Sequence, residues 1–127
     1  MDTSVRTLPA EPPEDTVARP PRPWQRLGSR YPSVVAAYDV LSEACRDAGP
    51  LDESAVALVK LAISIGAGAD RTVHIHCKKA LRAGVDPDAL RQVALIALPT
   101  IGLPASLDAL RWVDETIQET LGSPLRP

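Results

Sequence analysis

Asp70-Arg-Thr-Val-His-Ile-His-Cys-Lys-Lys-Ala-Leu-Arg-Ala-Gly84 holds both histidines of the chain and one of its two cysteines. The spacing predicts one helix with both ends marked. Asp70 is expected to cap the start through its carboxylate, and Gly84 to take the left-handed conformation that ends it. At about 100° per residue, Val73, Cys77, Ala80, Leu81 and Gly84 share one stripe, which should face a core. His74 and His76 lie on opposite borders of that stripe. Lys78, Lys79 and Arg82 cover the other side, as a solvated basic face does. On a strand, His-x-His would put both rings on one face. On a helix they point about 200° apart, so they cannot chelate one ion unaided. His74 and Cys77, one turn apart, could share an ion or a hydrogen bond. With two His and two Cys in all, no metal is expected within one chain.

Outward from this stretch, the same helical logic repeats. Before it, Asp52 caps a run, Ala55-Val-Ala-Leu-Val-Lys-Leu-Ala-Ile-Ser-Ile65, that is apolar almost all round and should be central. Gly66-Ala-Gly68 ends that run. After it, Asp86-Pro87 sets a capping carboxylate before proline at the first helical position. The helix it opens, through Val93-Ala-Leu-Ile-Ala-Leu98, is again apolar on every side, and Pro99 is expected to end it. Ile101-Gly-Leu-Pro104 should form a turn, with Pro104 starting a last helix. Leu107, Leu110, Val113 or Asp114, Ile117 and Leu121 mark its inner face, and Gly122 closes it. Upstream, Val34, Tyr38, Leu41, Cys45 and Ala48 form a stripe from Pro32 until Gly49-Pro50, with Cys45 a small core residue.

Residues 1–23 carry Pro9, Pro12, Pro13, Pro20, Pro21 and Pro23 among charges. Proline fixes φ and removes donors, so residues 1–31 are expected to be an extended or disordered arm. Pro20-Pro-Arg-Pro23 could serve as a polyproline ligand. Trp24 and Tyr31 would pin the end of the arm to the domain or to a neighbouring subunit. Residues 32–127 form the domain. Five helices, no strand signal and short connections give an all-α bundle. A domain this small can scarcely surround two all-apolar helices, and Ile75 is expected on the solvent side of the His helix. A homo-oligomer is therefore expected.

The 127 residues carry a formal charge of −2 and a pI near 5.6, with no Phe, two Tyr and two Trp. No positive excess argues for nucleic acid. An aliphatic core suits packed helices better than a β-sandwich. Two cysteines fit a reducing compartment. No apolar run suggests a signal peptide or a membrane span. The expectation is a cytoplasmic protein with no membrane and no nucleic-acid partner.

The order of elements resembles a known family. Leu51-Asp52 stands before an aliphatic helix, and His76-x-x-x-Ala80-x-x-x-Gly84 follows. Then come Asp86-Pro-Asp-Ala-Leu90, Val93-Ala-Leu95, Ile101-Gly-Leu-Pro-Ala105 and Ala109-Leu-Arg-Trp112. Together, from about Leu51 to Glu119, they look like the carboxymuconolactone decarboxylase and alkylhydroperoxidase-D-like superfamily. The resemblance implies an all-helical fold on a helical hairpin, assembly as trimers, hexamers or larger rings, and active sites near subunit contacts. In the peroxidatic branch a Cys-x-x-Cys pair opens the His helix and a glutamate on the preceding helix completes a proton relay.

Carried over residue by residue, that match is partial. His76 takes the family histidine's place, but Ala69 and Thr72 stand where the cysteines would, and Ala57 where the glutamate would. A standard dithiol peroxidase is therefore not expected. The decarboxylase branch lacks the Cys pair and acts on a cyclic lactone acid, with the helix histidine implied in proton transfer. Its resemblance implies a cofactor-free lyase or isomerase on a small carboxylated, lactone-like substrate. His76 would be acid or base there, His74 and Cys77 further candidates, and Arg71, Lys78 and Lys79 carboxylate-binding cations. Two alternatives stand beside it. One is a redox protein using Cys77 with His74 or His76. The other is a scaffold that binds a ligand without turnover. Whether Glu53, Asp114 or Glu115 reaches His76 is left open.

Overall fold

The computed structural model describes residues 22–122, which form six helices and no strand: α1 (Arg22–Arg30), α2 (Pro32–Arg46), α3 (Glu53–Gly66), α4 (Asp70–Arg82), α5 (Pro87–Ile101) and α6 (Leu103–Leu121). The all-α class is as expected, with one helix more than the five the sequence suggested. The chain divides into two units, residues 1–50 and 51–127, which are taken separately.

In the first unit the addition is α1. The arm was expected to stay extended to residue 31, yet it is helical from Arg22. Pro23 sits in the first turn, where its missing N–H has no helical acceptor to lose. Pro20-Pro-Arg-Pro23 lies mostly outside the described residues. Trp24 meets Tyr38 of α2 edge to face, with ring centroids 5.4 Å apart. Tyr31 alone joins the two helices, and Pro32 opens α2. The inward stripe of α2 differs from expectation. Val35 is the buried residue, whereas Val34, Tyr38, Leu41 and Cys45 are exposed, and the helix stops at Arg46 before reaching Ala48. Cys45 is therefore not a core residue.

The second unit is a four-helix arrangement in which α3 packs on α4, α4 on α6, α6 on α5 and α5 on α3. Leu61 and Ile65, Val73, Cys77 and Ala80, Leu90 and Ala94, and Ala109, Val113 and Ile117 fill its core, one group from each helix in turn. Val73, Cys77 and Ala80 are the stripe expected of the His helix, and Leu81 packs partly against them. Ile75, expected on the solvent side, is half-buried. On α3 and α5, Val59, Ile63, Leu95, Ile96 and Leu98 remain exposed.

Local chemistry sets most of the ends. Asp52 Oδ1 accepts from the Ala55 amide at 2.9 Å, and Asp86 Oδ1 from the Asp88 amide at 2.7 Å, with Pro87 in the first turn of α5. Gly84 takes φ +89°, the Gly84 amide donates to the Leu81 carbonyl and the Val85 amide reaches back to that of Ala80. That pair of bonds is the paired closure which a left-handed glycine permits. Asp86→Ala should lower stability by about 0.5–2 kcal/mol, read as a fall in the urea midpoint.

Three expectations fail here. Asp70 does not cap α4; it is the first helical residue after Ala69, and its carboxylate turns to His74 instead. Pro99 does not end α5, which runs on to Ile101. So near the C-terminus the proline forfeits one backbone bond, and Gly102, at φ +97°, makes the whole connection to α6. Finally, Leu107 and Leu121 are exposed, and the inner face of α6 is Ser106, Ala109, Val113, Thr116 and Ile117. Small side chains at that seam let helix axes approach closely, which outweighs the attraction of the leucines for the interior.

Candidate active site

Because α4 lies between α3 and α6, its two histidines serve different neighbours. His74 faces α6. Its Nδ1 lies 2.5 Å from the Thr116 hydroxyl, which is buried and donates in turn to the Trp112 carbonyl at 2.9 Å. Its Nε2 lies 3.1 Å from Asp70 Oδ1 and 3.7 Å from Glu115 Oε1. The other oxygen of Glu115 is 3.4 Å from Arg111. Both ring nitrogens are thus engaged, and His74 ties the start of α4 to the last turns of α6.

His76 is placed otherwise. Its ring is half-buried and has no hydrogen-bond partner among the described residues. Burial lowers its pKa to about 4, helped by the positive charges of Lys79, one turn on, and of Lys60 on α3. Removing a ring from water disfavours its cation, and nearby ammonium groups add to that. At neutral pH His76 is therefore a neutral imidazole, able to accept a proton. No carboxylate is among the groups acting on it. Glu115 goes to His74, and Asp114 accepts from Arg91 Nε at 2.7 Å, while Arg91 also reaches Asp88 at 2.8 Å.

Of the three cations singled out in sequence, only Lys79 acts on His76. Lys78 lies nearer Cys77, and Arg71 is exposed. Lys60 was missed. Its signal was present, as the one charge in α3 after Glu53. Its effect on His76 depends on the packing of α3 against α4, which spacing within either helix does not reveal.

Cys77 does not match the reactive thiol that the sequence allowed. It is fully buried and its Sγ points at the Val113 carbonyl, 3.9 Å away. Burial pushes the thiol up to about 12; the Thr116 hydroxyl opposes this, Asp114 adds to it, and Lys78 and Arg91 oppose it more weakly. His74, whose charge was to activate it, is engaged elsewhere. With so high a pKa the thiolate fraction at pH 7 is on the order of 10⁻⁵. In the native protein, iodoacetamide or a small excess of hydroperoxide should modify the exposed Cys45 and leave Cys77 untouched, as a mass spectrum of separated peptides would report.

The positions of the peroxidatic residues complete the picture. Ala57 packs against the core on α3, Ala69 precedes α4, and Thr72 is half-buried in its first turn. Among the described residues, no three His, Cys, Asp or Glu side chains are grouped to hold a metal ion, and no helix is long and apolar enough to cross a membrane.

Residues 32–115, well over half of the chain, match the family model described as the carboxymuconolactone decarboxylase family. No curated protein and no solved structure matches the chain.

Proposed function

For a chain that belongs to the carboxymuconolactone decarboxylase family, we propose a cofactor-free lyase or isomerase that acts on a small carboxylated, lactone-like substrate, with His76 as its proton-transfer residue. The observation that carries this reading is the state of His76: half-exposed, neutral, without a hydrogen-bond partner among the described residues and flanked by two lysines. A general base must be unprotonated and within reach of a substrate proton. A carboxylated substrate needs cationic charge beside that base.

The proton balance follows. In an isomerisation, neutral His76 takes a proton from the carbon next to the lactone carbonyl and the imidazolium returns it further along the conjugated enolate. In a decarboxylation, the bond to the departing carboxylate breaks and its electron pair stays in the enolate. A proton taken up from water and delivered through His76 then quenches that carbon, and CO₂ leaves. A ring with a pKa near 4 is a weak base whose conjugate acid gives its proton up readily, so the return step is the easier one.

The redox alternative loses its support with the buried, undissociated Cys77. Assembly as a homotrimer or homohexamer in the cytoplasm belongs to the same proposal. It is supported by the apolar side chains that α3 and α5 leave on the surface. The test of the enzymatic reading is His76→Gln assayed on lactone acids and enol-lactones beside the parent protein. Unchanged turnover on a substrate the parent converts would sink it.

A further inference from the structure

We infer that the hairpin of α1 and α2 docks on an anionic lipid surface, with an apolar stripe of α2 turned to the lipid and Arg26 and Arg30 of α1 among the headgroups. The inference is independent of the His76 site and stays within the first unit of the chain.

Among the described residues of this hairpin, Val35 alone is buried. It faces Gly28, where an added Cβ would lie 3.8 Å from Val35 Cγ2. Two helices that share one buried side chain leave most of their apolar surface uncovered. Val34, Tyr38 and Leu41 recur at helical spacing on α2, and between 49 % and 58 % of each remains exposed. Cys45, also exposed, continues the stripe. At about 100° per residue, Asp39 and Glu43 lie roughly 130–170° round the helix from it. No carboxylate of α2 therefore stands in the stripe. The charge comes from α1. Arg22, Arg26 and Arg30 recur at every fourth residue of a helix that has no acidic side chain. Arg26 and Arg30 are exposed and have no ion pair among the described residues. Trp24 of α1 meets Tyr38, a member of the stripe, edge to face with ring centroids 5.4 Å apart. That contact sets α1 along one edge of the stripe. The hairpin thus has an uncharged apolar centre, aromatic rings beside it and a basic margin.

That order of chemistries fits the surface of an anionic bilayer. Apolar side chains gain by leaving water for the acyl boundary, and Tyr and Trp favour the level of the headgroups. Arginine beside an anionic leaflet adds attraction. A second copy of the hairpin would cover the stripe but bring the same arginines with it, and like charges oppose such a contact. A lipid surface matches the stripe and the arginines together. Among the described residues no helix is long and apolar enough to cross a bilayer, and the whole chain carries a charge of −2. Those facts speak against crossing and against long-range attraction. Neither bears on a hairpin that lies on the surface with a basic edge of its own.

The experiment uses the full chain, with Cys45 as its reporter. Vesicles of phosphatidylcholine mixed with an equal part of phosphatidylserine are compared with vesicles of phosphatidylcholine alone. The mixed vesicles should carry the protein in flotation, shift its tryptophan emission to the blue and slow the alkylation of Cys45. Added salt should reverse all three. Arg26→Gln and Arg30→Gln should each weaken binding about fivefold, whereas lysine at both positions should retain it. Leu41→Gln should weaken it on the order of tenfold. All three side chains are exposed, and an unchanged helical circular-dichroism signal confirms that the variants fold. Failure to bind the mixed vesicles, or equal binding to both kinds, would overturn the inference. Undiminished binding by the double Arg26→Gln, Arg30→Gln variant would do the same. So would lipid-free protein whose Cys45 is shielded at high concentration and released on dilution, because a second copy then covers the stripe.

Discussion

Replacing His76 by Gln lowers turnover on a lactone acid or enol-lactone by about 10²–10⁴-fold, the range removed with a positioned general base, and leaves the helical circular-dichroism signal as it was. The ring is half-exposed and holds no hydrogen bond among the described residues, so its loss costs the fold little. His74→Gln should behave in the opposite way. It breaks the contacts to Thr116, Asp70 and Glu115, and stability should fall by about 1 kcal/mol while turnover persists. The pH profile separates the two further. With a pKa near 4, His76 should give kcat/KM a rising limb centred near that value and a plateau through neutrality. Stability carries the same ionisation with a definite sign. The unfolded ring binds its proton near its ordinary value of 6.5 and the folded ring only near 4. Between these values the unfolded state holds more protons, so stability declines as pH falls from about 6.5 towards 4. In His76→Gln that part of the acid sensitivity should vanish. Equal kcat/KM for the parent and His76→Gln across pH 5–8 would remove His76 from the chemistry.

What was legible in the sequence follows how locally each feature is determined. Asp52, Asp86 and Gly84 mark helix ends through bonds to residues two to four positions away, and each works as its sequence context implied. Val73, Cys77 and Ala80 share a face because one helix repeats every 3.6 residues. Asp70 misled because its carboxylate had a second suitor, His74, one turn along the same helix. Pro23 and Pro99 misled because proline's cost depends on position: nothing is lost in a first turn, and one bond near a last. The inner face of α6 was misjudged because the tight seam against α4 and α5 takes Ser106 and Ala109 ahead of Leu107.

The site divides along the same line. Both histidines could be found, since they are the only two in the chain. Their division of labour could not, because it is decided by contacts across helices. Thr116 is 42 positions from the His74 it holds, and Lys60 acts on His76 from the neighbouring helix. The departure from the peroxidatic branch also reads differently in three dimensions. Ala57 marks a lost acid in the sequence. In the structure the next turn of the same helix carries a cation, Lys60, whose charge acts on His76.

Leu90→Ala should destabilise the protein by about 2–5 kcal/mol, the cost of a buried leucine plus the cavity it leaves. Leu90 is fully buried on α5, in the core cluster shared with Leu61, Val113 and Ile117. For a small domain that is a large part of a total near 5–15 kcal/mol. The urea midpoint should drop with little change in slope, because the surface exposed on unfolding stays nearly the same. The link to function is positional. Neither histidine lies on α5, but α5 supports both α3 and α6, the walls on either side of α4. At low temperature, where the folded form still dominates, Leu90→Ala should keep the turnover of the parent, because α5 carries neither histidine and acts on them only through α3 and α6. Loss of turnover in that folded variant would mean that the placement of His76 depends on the whole core.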